Sequence, residues 1–535
     1  MQMKKILVLM VAVAVACGAV GQQSQGKKKG SFADTVAGMS RLQETMDLLN
    51  GHYVVEPDME RLSETAVRAM LSSLDPHSVY IPAKDVQRSN EALQGNFEGV
   101  GISFSIFNDT ICVSEVIGGG PAEKVGMQSG DKFLRIDGVN ATGDSARQPF
   151  VFRRLRGKKG TEVVTEMLRG GDTLTFHITR DRIPIHSVEV AFMEDDSIGY
   201  IGLMRFARTS VAEFRRALVD LRRQGMQSLI LDLRGNVGGY LDIACGMANE
   251  FIDQGRLLVY QEGRAQERQE FRSNRHGMFR KGDLVVLVDE HSASASEIVA
   301  GAVQDWDRGM VIGRRTYGKG LVQRMFELSD GAQVRLTTAR YYTPSGRCIQ
   351  KPYENGTADY NNELSRRYRH GEFFSMDSIH FPDSLKYTTH GGRTVYGGGG
   401  IMPDLFVPLD TTPASKYYQA CRRKGVLNQF PQHYADRHRS DSVLADFDSF
   451  MWHYEELGID SLFDAFAAEN GVLRDSIAET ASDSVVVFND RFLSLQVKAL
   501  VADRLYGRGH YYQIMKEEDK FYQAALGVLR QRRRQ

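Results

Sequence analysis

From Ile198 to Gly313 the chain alternates short apolar runs with amphipathic stretches, and this rhythm leaves few architectures open. Tyr200–Arg205 reads as a strand, and over 210–224 Phe214, Ala217, Leu218 and Leu221 share one helical face. Gln227–Leu233 has the content of a strand buried on both faces. A second helix follows at about Tyr240–Ile252, then strands at Arg256–Gln261 and Asp283–Asp289, a helix at Ala295–Asp305 and a strand at Met310–Gly313. Such alternation predicts an α/β layer with a largely parallel sheet.

A parallel sheet places the loops leaving its strand ends along one edge, where sites form. Three loops here have contents suited to acyl transfer. Arg234-Gly235-Asn236-Val237-Gly238-Gly239 offers backbone N–H groups with little side-chain cover. His291-Ser292-Ala293-Ser294-Ala295-Ser296-Glu297 puts serines at a helix mouth, and Thr316-Tyr317-Gly318-Lys319-Gly320 sets a lone lysine between glycines. A serine hydroxyl needs a base, and lysine serves only if burial lowers its pKa toward the working pH. The oxyanion that then forms needs fixed N–H donors. Other readings compete. A serine run before a helix is commonly an N-cap. Gly313 to Gly320 nearly matches a phosphate loop, but glycine stands where serine or threonine should hold magnesium and no helical pattern follows. His291 could complete a triad, yet no G-x-S-x-G elbow accompanies it.

Residues 97–181 have another character, with β-rich runs at Gly101–Ile106, Thr110–Val116, Lys132–Ile136 and Thr173–Thr179 between glycine turns. Phe97-Glu98-Gly99-Val100-Gly101-Ile102, then Gly120-Pro121-Ala122-Glu123-Lys124-Val125-Gly126, then Ser129-Gly130-Asp131 together resemble a PDZ domain of the bacterial protease type. The resemblance makes Gly99, Val100, Gly101 and Ile102 the loop that receives a terminal carboxylate, with the next strand edge pairing to the peptide. A small β-barrel without a ligand is the bland alternative.

Val286–Gln323 resembles the carboxyl-terminal processing peptidases, or tail-specific proteases. The likeness lies in the S-A-S-A-S-E run, the T-Y-G-K-G that follows and a glutamine four residues beyond the lysine. It runs over about residues 35–350, with Leu74–Tyr80 and Leu336–Arg347 included and further agreement at Pro403-Asp404. The resemblance implies Ser294 as nucleophile, Lys319 as base, Gln323 as its support, and backbone amides of Gly239, Gly238 beside it, and Ala295 as oxyanion donors. No cluster of metal-ligand type appears in the sequence, so neither a metal nor a cofactor is expected. The glycine loop departs from the family pattern at Gly235 and Val237, where asparagine and proline are usual, so a softer loop is expected. His77, in Leu74-Asp75-Pro76-His77-Ser78, reads as a turn or capping residue.

The expected organisation is multidomain α+β: a signal peptide at 1–21, an N-terminal helical region at 22–96, a PDZ-like domain at 97–181, a peptidase core at 182–410 with an insertion at about 352–396, and a helical extension at 411–535. Within the helical region Met39, Leu42, Met46 and Leu49 recur at helical spacing. Lys4 and Lys5 precede an apolar run, Ile6–Cys17, of signal-peptide length. Cleavage before Gln22, lipidation at Cys17 or a retained anchor all export the chain, to the periplasm or cell envelope. The 67 basic and 67 acidic residues balance, which argues against a nucleic-acid partner. Cys112, Cys245, Cys348 and Cys421 lack C-x-x-C spacing, and the first two lie in apolar stretches that suit packing residues. Expected partners are proteins or peptides with free carboxyl ends, then a second copy of the chain through the helical extension and an envelope adaptor. The rival function is a non-catalytic PDZ scaffold presenting clients to other proteases.

Overall fold

The computed structural model describes residues 32–107, 109–410, 415–474 and 483–534. The expected signal peptide, with Cys17, lies outside them. The chain divides into a unit ending at Met70 and a second from Leu71 to the carboxyl terminus. The first holds the helix Phe32–His52 and most of the helix Met59–Ser72. The second holds the remaining elements.

Its centre is a six-stranded sheet in the order Val188–Met193, Ile198–Leu203, Ser228–Asp232, Leu284–Val288, Met310–Gly313, Leu405–Phe406. The first pair is antiparallel and every later pairing is parallel. All five residues of Ser228–Asp232 and of Leu284–Val288 are buried, as strands covered on both faces must be. Alternate residues serve alternate faces. Leu229, Leu231, Val286 and Val288 pack with Phe214, Leu218, Met247, Ile298 and Val303 of the helices Ser210–Arg223, Leu241–Ala248 and Ala295–Asp305. Ile230, Val285 and Leu287 face the other way, where Tyr522, Leu526 and Leu529 of the last helix, Lys520–Arg533, cover them. Each of these large apolar side chains contributes about 1.5–3 kcal/mol by leaving water. The helix Lys520–Arg533 is thus one layer of the fold around the central sheet.

One strand departs from the expected alternation. Leu257–Gly263 does not join the parallel sheet. It pairs antiparallel with Gln333–Tyr342 and Gln266–Arg272 in a second sheet that also takes Val79–Ile81 and Leu321–Glu327. The insertion, with helices Thr357–Asn361 and Glu363–Arg369, folds onto the core through Arg367, whose guanidinium donates to the carbonyls of Arg315 (2.6 Å) and Thr316 (3.1 Å).

The β-rich module is an antiparallel sheet ordered Ile102–Phe107, Thr110–Val116, Lys132–Ile136, Glu162–Arg169, Asp172–Thr179. Its strand Glu162–Arg169 and its helix Gln148–Leu155 add to the strands expected from sequence. Most of the carboxyl-terminal extension is a separate helical core built around Tyr417, Phe430, Phe450, Phe463 and Val497. Cys112, Cys245 and Cys421 are buried free thiols, and Cys348 is a half-buried one.

Candidate active site

The three glycine- and serine-bearing loops leave the carboxyl ends of Ser228–Asp232, Leu284–Val288 and Met310–Gly313, and they meet. The two outer serines of the serine run are wholly buried and hold the glycine loop. Ser292 Oγ donates to the Leu233 carbonyl (2.8 Å) and Ser296 Oγ to the Asn236 carbonyl (2.7 Å). Ser294, between them, is partly exposed. It is a non-glycine residue at φ 56° and ψ −110°, a strained backbone that cores do not ordinarily tolerate.

The glycine loop closes against that residue. A Cβ on Gly238 would fall 2.7 Å from the Ala293 carbonyl oxygen and 2.9 Å from both Ala295 N and Ser294 Cβ, so only glycine fits. The Gly238 N–H is already taken by Asn236 Oδ1 at 2.9 Å. The amides of Gly239 and Ala295 donate to no protein acceptor among the described residues. Of the three amides implied by the resemblance, these two remain open for an oxyanion. Asn236 is fully buried and shapes the loop, since its Nδ2 also donates to the Leu203 carbonyl at 2.7 Å.

Glu297 had no assigned role, yet it joins the serine loop to the lysine loop. Its Oε2 accepts from the N–H of both Ser294 (2.8 Å) and Lys319 (2.9 Å), and its Oε1 from Thr316 Oγ1 (2.6 Å) and the Gly318 N–H (2.7 Å). One fully buried carboxylate oxygen thereby sets Ser294 and Lys319 side by side. Burial pushes its pKa up, and the four donors oppose that shift by favouring the anion. The Tyr317 N–H adds a further tie, to the Ser292 carbonyl (3.0 Å).

Lys319 is partly buried, and the carboxylates acting on its charge are Glu297 and Asp75. Burial, then the nearby Arg335 guanidinium, pushes its ammonium below the ordinary 10.5. No hydrogen bond joins Lys319 Nζ to Ser294 Oγ or to Gln323 among the described residues; such contacts commonly tighten only when substrate binds. Gln323 lies opposite Thr337 in the second sheet, and its Nε2 donates to Thr337 Oγ1 (3.3 Å), which donates to Asp75 Oδ1 (3.1 Å).

His77 is nearer the chemistry than a turn residue would be. Its ring lies within electrostatic reach of Lys319, and its Nε2 is 2.9 Å from Tyr360 Oη. Burial first, and then Lys319, pushes its pKa down to about 4, so it is neutral over the working range. The motif Leu74–Ser78 carried the signal, since Asp75 accepts from the His77 and Ser78 amides (2.8 and 2.9 Å) and so orders the turn. The lysine loop runs into the strand Leu321–Glu327 and not into a helix, which removes the phosphate-loop reading. His291 is exposed.

In the β-rich module, the edge strand Ile102–Phe107 and the helix Gln148–Leu155 border a groove of about 280 Å³. Gly99, Val100, Gly101 and Ile102 line it together with Phe97, Phe104, Val151, Phe152, Leu155 and Arg156. The Val100 and Gly101 N–H groups donate to no protein backbone among the described residues, and Gly101 takes φ 84°.

A model of the Peptidase family S41 matches residues 197–359, and a model of the PDZ domain matches 99–179. The chain is 32% identical over 347 residues to the probable CtpA-like serine protease of Staphylococcus epidermidis, covering 64% of this chain and 69% of the relative. The protein of the same description from Staphylococcus aureus strain MSSA476 is 32% identical over 346 residues, with 64% and 68% covered. Among solved structures, the photosystem II D1 C-terminal processing protease is 26% identical, covering 71% of this chain and 90% of that one at a TM-score of 0.36.

Proposed function

The chain belongs to peptidase family S41 and is a serine-type peptidase with a PDZ domain, and on that premise we propose that it cuts exported proteins near their carboxyl ends with a Ser294–Lys319 dyad. Neutral Lys319 takes the Ser294 proton as Oγ attacks the scissile carbonyl. The tetrahedral oxyanion is received by the Gly239 and Ala295 amides. Protonated Lys319 then gives its proton to the leaving amine, and water repeats the sequence on the acyl-enzyme. Gln323, Thr337 and Asp75 form one hydrogen-bonded chain, of which Asp75 lies within electrostatic reach of Lys319. The groove at Gly99–Ile102 receives the free carboxylate of the substrate on open amides, and its apolar walls suit an apolar last residue. Export, to the periplasm or cell envelope, is supported by the apolar Ile6–Cys17 run behind Lys4 and Lys5.

The observation that carries the dyad is Glu297, whose single oxygen Oε2 binds the amides of both Ser294 and Lys319. Ser294→Ala tests it. Peptide hydrolysis should fall below about a hundredth of wild type, with the melting temperature little changed because a partly exposed hydroxyl leaves no cavity. Residual activity above that level rejects Ser294 as the nucleophile.

A further inference from the structure

The last helix does more than cover the sheet. Asp519 caps it, its Oδ1 accepting from the amides of Phe521 (3.0 Å) and Tyr522 (3.2 Å). The same carboxylate grips Arg234 through two hydrogen bonds, Nη1 to Oδ1 at 2.9 Å and Nη2 to Oδ2 at 2.7 Å. Arg234 opens the glycine loop, and its Nε binds both oxygens of Asp232 at 3.0 and 2.9 Å. Tyr200 Oη fixes Asp232 in turn at 2.7 Å. The guanidinium is thus held on two edges, by the end of its own strand and by a residue 285 positions later.

Phe521 extends the contact to the other loops. Its ring lies 4.8 Å from the guanidinium carbon of Arg234 and 4.8 Å from that of Arg314, which opens the lysine loop. Arg314 pairs with Glu290, at the start of the serine loop, at 2.7 Å. Gly313 is a close-approach position, because a Cβ there would lie 3.0 Å from the Phe521 ring and 1.9 Å from the Val288 carbonyl oxygen. One helical turn therefore contacts the glycine loop at Arg234 and the lysine loop at Arg314, and is linked to the serine loop through the Arg314–Glu290 pair. The glycine loop is tied at Gly235, whose N–H donates to Asp289 Oδ1 at 3.0 Å, and through Ser292, Ser296 and Asn236, while the side chain of Val237 is 70% exposed, so the Arg234 clamp adds to restraints on the loop's other residues.

We propose that Asp519 and Phe521 are positioning residues: they hold Arg234 and Arg314 so that the glycine loop presents the Gly239 amide to the oxyanion. Residues beyond the stretch matched to the peptidase family thereby take part in catalysis, and the extension is more than a packing or dimerising appendage. The proposal rests on the Ser294–Lys319 reading. Its alternative is that the Asp519 pair merely docks the helix, a task already shared by the apolar face and by the Arg530–Glu194 and Arg532–Asp283 pairs (3.3 and 3.4 Å).

The test compares full-length wild type, Asp519→Asn, Asp519→Glu, Phe521→Leu, Arg532→Ala and Ser294→Ala on one internally quenched peptide, with kcat, KM and melting temperature for each. Inhibition by a peptide aldehyde, which forms a tetrahedral adduct, is measured on the same set. Losing a whole oxyanion donor costs about 10²–10³ in kcat. A displaced donor should cost less, so Asp519→Asn should lower kcat about tenfold with KM within about twofold, and should weaken the aldehyde by the same factor. Asp519→Glu should recover most of the loss. Phe521→Leu, which keeps apolar volume but removes the ring beneath both guanidinium groups, should lower kcat about threefold and decides the matter if Asp519→Asn does not fold. Arg532→Ala should keep wild-type kcat. Wild-type kcat in both Asp519→Asn and Phe521→Leu, a loss confined to KM, or an equal kcat loss in Arg532→Ala would overturn the proposal. A Ser294→Ala enzyme that still turns over sinks the dyad reading instead, whereas an inactive one beside unimpaired Asp519→Asn and Phe521→Leu enzymes sinks the positioning role alone.

Discussion

Replacing Glu297 by glutamine exchanges one oxygen for an NH2 group in a site where all four neighbours are donors. With the amide nitrogen at the Oε2 position, the Ser294 and Lys319 N–H groups both lose their acceptor. With it at Oε1, Thr316 Oγ1 can turn and accept, but the Gly318 N–H is orphaned. The second arrangement is cheaper. One orphaned buried N–H costs about 1–3 kcal/mol, and the bonds that survive drop from charge-assisted to neutral strength. Relief from burying a charge returns part of this, leaving a net loss of about 2–4 kcal/mol and a melting temperature lower by about 4–10 °C. The catalytic effect should be larger, because the peptides of Gly318 and Lys319 shift relative to Ser294. A misplacement of about 1 Å at reacting groups costs about 10²-fold, so kcat should fall about 10- to 100-fold. KM should change less than about threefold, since Glu297 does not line the Gly99–Ile102 groove. Steady-state kinetics on a fluorogenic peptide, with thermal melts of the same preparation, reads both. A Glu297→Gln enzyme with wild-type kcat would refute the claim that this carboxylate aligns the serine and lysine loops.

Ser292→Ala and Ser296→Ala each remove a hydroxyl that binds the glycine loop. Each should lower stability by about 1–2 kcal/mol and kcat several-fold, well short of Ser294→Ala, and a Ser296→Ala enzyme as inactive as Ser294→Ala would challenge the choice of nucleophile. Amidating the carboxyl end of an apolar-tailed peptide removes the charge that the Val100 and Gly101 amides would receive. Cleavage should weaken several-fold in the intact enzyme, and equal cleavage of acid and amide would rule out terminal recognition at that groove.

The parallel sheet could be read from sequence because Ile198–Leu203, Ser228–Asp232, Leu284–Val288 and Met310–Gly313 are buried on both faces and separated by helices whose own apolar faces are visible. Leu257–Gly263 looks the same locally, but its neighbour in space is Gln333–Tyr342, and periodicity does not reveal which sheet a strand joins. The serine and lysine loops were legible as motifs. The bond network between them was not, although a glutamate directly before the apolar run Ile298–Val303 of a helix was a usable hint at Glu297. His77 looked like a turn residue because its approach to Lys319 depends on long-range folding around Tyr360. The Arg234–Asp519 pair leaves no local trace at all, since its partners are 285 residues apart.

The central claim, that neutral Lys319 activates Ser294, is tested most directly by the pH dependence of kcat/KM on an uncharged peptide. A buried lysine is depressed from its ordinary 10.5, so the active, deprotonated fraction grows as pH rises through the lowered pKa and then levels off. His77, held at about 4, has already lost its proton below that range and adds no second rise near neutrality. The account predicts a single ascending limb, above the His77 range and below 10.5, that disappears in Lys319→Arg because guanidinium stays protonated. A profile governed by one group near 4, or near-normal turnover in Lys319→Arg, would contradict it.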